Sequence, residues 1–374
     1  MTFSKRIRIF FIIPTLYSGG AEKVFLLLAR RFSREKFDIT LILLIPGSGH
    51  YYALIPNDIR VVQFSFKSTK SSFFRLFTFL KNERPDVVFS TLTHLNIMLS
   101  IIRRVLYSNF LFIARESNTL SSSIKNEKFP FLFKILLKTV YRKLDLIICQ
   151  SRYMANDLIK NFNISPSKIE VIYNPIDIEQ INSAIEGSYQ IQRKEGVIEL
   201  VSIGRLSAQK GFDRLLDIMN LIKDFPCRLT ILGDGNLKEE LQKKVALLGL
   251  SNMVFFEGIQ KNPIQYIINS DCLLLASYYE GLPNVVLEAH SCGIPVIAFN
   301  SPGGTAEIIQ DGINGWLVED GNFNVFAELI RSKKYLQLDK QKIKKTAVDR
   351  FNGDFIIQQY EEIIVKHIKQ RSYA

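Results

Sequence analysis

The chain has 374 residues, 47% of them hydrophobic and 22% charged; this excludes a disordered or fibrous protein and, at that length, predicts two domains rather than a single core. Four cysteines stand far apart with no CxxC pair, so neither a disulfide scaffold nor a structural zinc site is expected. The formal charge of +12 belongs entirely to the first half: residues 1–190 hold 26 Lys and Arg against 14 Asp and Glu, and residues 191–374 hold 22 of each.

Short β-branched or aromatic runs alternate with longer helical patterns along most of the chain, the pattern of βα units and parallel sheets. Lys5, Arg6 and Arg8 precede the apolar run Ile9 to Ile13. Pro14 and Gly19-Gly20 then cut that run before a helical pattern, so the segment reads as strand, glycine turn and helix rather than signal peptide. Strands are expected near Arg8 to Ile13, Thr40 to Leu44, Val87 to Ser90, Phe110 to Ala114, Leu146 to Cys149 and Glu170 to Ile172. From Asn174-Pro175 through Ser188 and Lys194 the periodicity weakens, which predicts a linker. The second half repeats the scheme, with strands near Leu200 to Ile203, Arg228 to Leu232, Val254 to Glu257, Cys272 to Leu275, Pro295 to Phe299 and Gly315 to Val318. The fold class predicted is α/β: two tandem Rossmann-like, doubly wound parallel-sheet domains, with the site in the cleft outside the carboxyl ends of the strands. The most promising uncharged stretch, Val87 to Ile102, is too short to span a bilayer and contains His94 and several hydroxyls.

The strongest chemical signal is Ser277-Tyr-Tyr-Glu-Gly-Leu-Pro-Asn-Val-Val-Leu-Glu-Ala289. A strand ends near Ala276, Glu280-Gly281 occupies a loop, and Pro283 pre-sets the first turn of a helix that carries Glu288. Backbone amides at the start of that helix suit a phosphate or sugar hydroxyl, and the two carboxylates suit the hydroxyls of a polyol. A capped surface helix with a solvated Glu288 fits the same spacing. Gly204-Arg-Leu-Ser-Ala-Gln-Lys-Gly211 likewise joins a strand to a helix and projects Arg205 and Lys210, a fork and a point charge suited to a diphosphate. Ser18-Gly19-Gly20-Ala21-Glu22 and Gly233-Asp234-Gly235 are glycine turns of the same type, without a GxGxxG fingerprint.

Together with Gly303-Gly304 and Glu307-Ile-Ile, these motifs resemble glycosyltransferase family 4, the retaining nucleotide-sugar transferases of GT-B fold, in the right order over nearly the whole chain. The resemblance implies an acceptor-binding domain at 1–175, with a C-terminal helix at about 355–374 packing back on it, and a nucleotide-sugar-binding domain at 176–354. It implies that Glu280 and the backbone of Gly281, Leu282, Pro283 and Asn284 hold the donor sugar, Glu288 the ribose, and Arg205 and Lys210 the diphosphate. Gly258 would border the base, and Gly20 would approach the phosphates from the first domain. Many members place a histidine after the strand that here ends at Ala114. This chain has Arg115-Glu116-Ser117-Asn118 instead, similar to the subgroup that builds cell-surface polysaccharides and lipid-linked oligosaccharides, which makes Glu116 and Asn118 catalytic or acceptor-side candidates. His94 and Asn96 are expected at the same mouth, although His94 also fits a satisfied histidine on an apolar face.

The implied reaction moves a hexose or N-acetylhexosamine from a nucleoside diphosphate sugar to a lipid-linked or polysaccharide acceptor, with Arg205, Lys210, Glu280 and Glu116 as catalytic candidates. With cations on the diphosphate and no DxD motif in the cleft-facing loops, no metal or other cofactor is expected. The first half also holds 19 of the 28 phenylalanines, which predicts a basic, aromatic surface for an anionic partner. Lys67 to Lys81, with Phe73, Phe74, Phe77 and Phe79, is expected to lie on a membrane. Phe129 to Leu144, with Lys134, Lys138 and Arg142, fits either a membrane helix or a core helix with a basic edge. The expected location is therefore the cytoplasmic side, peripheral on the inner face of the cell membrane. Nucleic acid is not an expected partner, because neither an RNP-type pattern nor a helix-turn-helix signal is present. A catalytically inactive nucleotide-sugar-binding subunit is the alternative.

Overall fold

The computed structural model describes residues 5–17, 19–47, 50–106, 109–189 and 193–372. Ser18 of the first glycine turn lies outside them. The chain divides into two compact units, Met1–Pro175 with Asp354–Ala374, and Ile176–Gly353.

The first unit contains strands β1 (Ile7–Ile13), β2 (Phe37–Leu43), β3 (Arg60–Gln63), β4 (Val87–Thr91), β5 (Leu111–Arg115), β6 (Leu146–Cys149) and β7 (Ile169–Val171). Its helices are α1 (Gly20–Arg31), α2 (Phe73–Glu83), α3 (Thr93–Leu106), α4 (Leu120–Ser123), α5 (Pro130–Tyr141) and α6 (Arg152–Phe162). The sheet is parallel, in the order β3-β2-β1-β4-β5-β6-β7. β1 shows why: its alternating side chains feed two cores, Phe10 and Ile12 on one face and Ile9, Phe11 and Ile13 on the other.

The phenylalanine excess goes mostly into these cores rather than onto the surface. Phe11 packs its ring against Phe25, Phe32 and Phe89 at centroid distances of 5.2, 5.3 and 5.2 Å, and burying each such ring contributes about 1.5–3 kcal/mol. The same holds for α2, where the expected membrane helix is corrected. Leu76 and Leu80 are buried, and Phe73, Phe77 and Phe79 pack half-buried on the core. Only Phe74 among its phenylalanines is exposed. An apolar residue at nearly every position hides which side faces the sheet, and contacts to Phe10 and Phe64 settle it.

The second unit begins with α7 (Ile178–Glu186) and continues through β8 (Ile198–Ile203), α8 (Phe212–Leu221), β9 (Cys227–Leu232), α9 (Lys238–Leu247), β10 (Val254–Gly258), α10 (Pro263–Ile268), β11 (Cys272–Leu275), α11 (Asn284–Ser291), β12 (Val296–Phe299), α12 (Thr305–Ile308), β13 (Gly315–Val318), α13 (Phe323–Ser332) and α14 (Lys340–Phe351). Its strand order is β10-β9-β8-β11-β12-β13, all parallel. The expected linker is therefore partly helical: Asp177 caps α7 by accepting from the Gln180 N–H at 3.1 Å. The strand that sequence periodicity misses is β3, a four-residue edge strand with mostly exposed side chains.

The last helix, α15 (Gly353–Ser372), joins the first unit. Ile356, Ile357, Tyr360 and Ile364 enter the core that holds Phe11 and Phe89, and the Glu361 carboxylate accepts from the Ser33 N–H at 2.6 Å and Lys36 Nζ at 2.8 Å. Among the described residues no helix is long and apolar enough to cross a membrane.

Candidate active site

In the second unit the chain runs from β8 outward through β9 and β10, then returns to the other side of β8 for β11, β12 and β13. The order reverses between β8 and β11, and loops at such a reversal splay apart and leave a crevice for ligands. The loops that flank it are Gly204 to Gly211 after β8 and Ala276 to Pro283 after β11, the two strongest motifs of the sequence.

These loops are bound to each other. Lys210 Nζ lies 2.7 Å from Glu280 Oε1, and Ser277 Oγ donates to the same oxygen at 2.7 Å. The Tyr278 N–H donates to the Gln209 carbonyl at 2.8 Å, and Gln209 Nε2 returns a bond to the Tyr279 carbonyl at 3.1 Å. From the other side, the Glu280 N–H donates to Pro302 O at 2.9 Å and the Gly304 N–H to Gly281 O at 2.7 Å. The glycines are needed for this approach. Gly303 has φ +138°, and a Cβ there would overlap the Glu280 carbonyl; Gly233, at φ +132°, stands in the same relation to the Gly204 carbonyl.

Arg205 is exposed on its loop and Lys210 half-buried, whereas Glu280 is buried. Gly281, Leu282 and Pro283 are buried, and Asn284 and Glu288 are half-buried in the first two turns of α11. Pro283 has no N–H, so the expected amide contribution from this run cannot include it. Gly258 ends β10 at φ +70° and accepts from the Gly233 N–H at 2.8 Å. Among the described residues no group of three His, Cys, Asp or Glu is placed to hold a metal ion.

Two contributors escaped the sequence reading. Thr305 Oγ1, at the start of α12 beside Gly303-Gly304, is buried with no hydrogen-bond partner among the described residues, leaving a hydroxyl to donate to a ligand. Its signal is the Gly-Gly-Thr sequence ahead of a helix. Arg214 is buried with its guanidinium 4.1 Å from the Phe299 ring and 4.5 Å from Tyr278, and it pairs with Asp320. It props the loop that carries Glu280, and nothing in the sequence marks it.

In the first unit the order reverses between β1 and β4. Gly20, exposed, is the first residue of α1 after β1. After β4, Leu92 adopts φ +77°, a left-handed conformation that costs a leucine roughly 1–3 kcal/mol. The expectation for the residues that follow needs correction. Asn96 does not face an open mouth but is fully buried, accepting from Ser90 Oγ at 2.6 Å and donating to Glu116 Oε1 at 2.7 Å. His94 is not on an apolar face: its side chain is 67% exposed, 3.8 Å from the Glu127 carboxylate. Asn118 is half-buried.

Glu116 is enclosed, only 1% exposed. It accepts from Thr93 Oγ1 at 2.9 Å, from Asn96 and from the Tyr141 hydroxyl. Burial pushes its pKa above the usual carboxylate range, against the opposing pull of Tyr141, Asn96, Thr93 and the charge of Arg115. The folded state therefore holds this proton more tightly than the unfolded chain does. The resulting stability is complete below about pH 4.5, the ordinary value, and is lost as pH rises through the raised one. Denaturant titrations of wild type and Glu116→Gln between pH 4 and 8 should show the wild type losing ground relative to the variant as pH rises; the opposite trend would mean the carboxylate is held ionised.

Comparison with known proteins identifies the family. Residues 18–180 match the model described as Glycosyltransferase Family 4 and residues 186–349 the model described as Glycosyl transferases group 1. The N-acetylgalactosamine-N,N'-diacetylbacillosaminyl-diphospho-undecaprenol 4-alpha-N-acetylgalactosaminyltransferase of Campylobacter jejuni is 31% identical over 344 residues, 89% of this chain and 90% of that one. The amylovoran biosynthesis glycosyltransferase of Erwinia amylovora is 28% identical over 93% of this chain and 96% of its own length. The crystal structure of Anabaena HepE in complex with UDP-glucose superimposes with a TM-score of 0.79 at 20% identity, covering 96% of this chain and 100% of that one. With two parallel sheets on this plan and relatives spanning nearly its full length, the chain is a glycosyltransferase of family 4, built on the GT-B fold.

Proposed function

We propose that the protein transfers a hexose or N-acetylhexosamine from a nucleoside diphosphate sugar to a lipid-linked or saccharide acceptor, with retention of configuration and without a metal. The observation that carries this reading is the convergence of Lys210 and Glu280, 2.7 Å apart, from the two loops flanking the strand-order reversal of the second unit. A cation and a carboxylate at one point serve the two halves of the donor. Arg205 and Lys210 neutralise the diphosphate, whose negative charge grows as the glycosidic bond breaks. Glu280 accepts from sugar hydroxyls and Glu288 from those of the ribose. The main chain from Gly281 to Asn284, with Thr305 Oγ1, lines the sugar and phosphates, and Gly258 borders the base.

The names of the relatives support this choice of substrates: the Campylobacter protein is described by a diphospho-undecaprenol-linked acceptor, and Anabaena HepE is described in complex with UDP-glucose. A lipid-linked acceptor places the protein at the cytoplasmic face of the membrane, peripherally, with nucleic acid no partner. Glu116, shielded by its donors, acts as a positioning residue that holds the loop after β5, while His94 and Asn118 remain acceptor-side candidates. Thermal-shift titration with UDP, GDP, ADP and their sugars, with and without EDTA, tests the donor half. One nucleoside diphosphate series should stabilise the protein by about 2.7 kcal/mol at 100 times its Kd, unchanged by EDTA and weakened by Glu288→Ala. No stabilisation by any nucleotide would refute the donor assignment, and magnesium-reversible loss on chelation would refute the metal-free part.

A further inference from the structure

Exposed apolar side chains are unevenly distributed over this protein. Of the 20 large hydrophobic residues that are exposed among the described residues, five fall within eight consecutive positions: Phe129, Phe131, Leu132, Ile135 and Leu136. The other fifteen are scattered, as is normal for any surface. The five sit on the first turns of α5 and the residue before it. At about 100° per residue, exposed positions 131, 132, 135, 136, 139, 142 and 143 share an arc of about 140°, while Leu137, Val140 and Tyr141 turn into the core.

The charge along this segment is predominantly positive. Residues 125–143 hold six Lys and Arg against a single acid, Glu127. Lys134 and Lys138 border the apolar arc on one side, half-buried, and Arg142 and Lys143 continue it at the C-terminal end, exposed. Lys128 lies over the Phe129 ring at 5.6 Å. A protein partner would favour an apolar centre with few lysines. An apolar stripe rimmed by lysine and arginine is instead the composition of a helix that lies in the headgroup region of an anionic bilayer.

We propose that the exposed face of α5, from Phe129 to Lys143, is the surface by which this protein docks on anionic lipid. This deepens the proposed function and rests on it for the docking to have a purpose, since a lipid-linked acceptor lies at that same surface. It moves the contact from α2, where the sequence suggested it, to α5.

The test is co-sedimentation of the full chain, without donor or acceptor, with vesicles of phosphatidylglycerol and phosphatidylcholine or of phosphatidylcholine alone, over a salt series. Wild type should sediment with the anionic vesicles. Phe131→Ser with Leu132→Ser should reduce partitioning by about 100-fold at every salt concentration. Lys128→Gln, Lys134→Gln and Lys138→Gln together should reduce it by at least about 10-fold at low salt and approach wild type at high salt. Phe74→Ser, on α2, should change it little. Because the altered residues of α5 are exposed or half-buried, an unchanged melting temperature verifies folding.

Failure of wild type to sediment would overturn the proposal, as would an equal loss from Phe74→Ser. Vesicle-independent self-association abolished by the serine pair would overturn it in favour of a second copy of the chain. Transfer to a water-soluble acceptor, measured separately, should be unaffected by the serine pair, so that failure of docking and failure of the enzymatic reading are read apart.

Discussion

Glu280→Gln should lower kcat by about 100-fold or more while leaving the protein folded. The buried carboxylate gathers Lys210 and Ser277 on one oxygen, so it fixes the relation between the loop after β8 and the loop after β11. The amide keeps an oxygen for Ser277 but loses the charge that holds Lys210, and it presents an N–H where a sugar hydroxyl would donate. Glu280→Ala should abolish transfer. It should also destabilise the fold by about 3 kcal/mol, the lower end of the range for breaking a buried pair, because Lys210 keeps some access to water. Steady-state kinetics beside denaturant melts separate the two effects. Near wild-type kcat in the glutamine variant would remove Glu280 from the reaction.

Arg205→Ala and Lys210→Ala should each lower kcat by about 100- to 1,000-fold, with a smaller change in KM. The reason is differential: the diphosphate carries more negative charge in the transition state than in the bound donor, so a fixed cation favours the former. Lys210→Arg should rescue poorly, since a planar fork cannot replace a point charge beside Glu280. Lys210→Ala should in addition lower the melting temperature by removing the cation from the buried Glu280 carboxylate, whereas Arg205→Ala, at an exposed position, should not. A rise in KM with kcat unchanged in both variants would show that these groups only bind substrate.

Much of this arrangement was legible in the sequence. Strands such as IRIFFII and LIIC are short and almost wholly apolar, as covered parallel strands are, and the glycines after β8 and β9, Gly204 and Gly233, mark where two loops meet backbone to backbone. The loops bearing Lys210 and Glu280 could be placed at the carboxyl ends of strands for that reason. Their direct ion pair could not, because it depends on which strands become neighbours. Asn96 and Glu116 looked like open polar residues, but Ser90 and Thr93, with the Tyr141 hydroxyl from α5 on Glu116, bond to them in a buried cluster. The two apolar, basic segments of the first half are alike in composition. Which of them is exposed depends on where each falls across the sheet, and α2 is the more covered. The weak periodicity after Pro175 concealed α7, whose Asp177 cap is its clearest sequence mark.

The most direct test of the enzymatic reading is transfer itself. Wild type and Glu280→Gln would be incubated with a panel of radiolabelled nucleoside diphosphate sugars and membrane lipid extract, and label followed into the organic phase and into saccharide, with the anomeric configuration of the product read by NMR. The expected result is one donor whose label enters a lipid-linked or saccharide product with its configuration retained, at a rate about 100-fold or more lower in the variant. Binding of a nucleotide sugar with no transfer by wild type to any lipid or saccharide would contradict it, and would leave a subunit that holds the donor without using it.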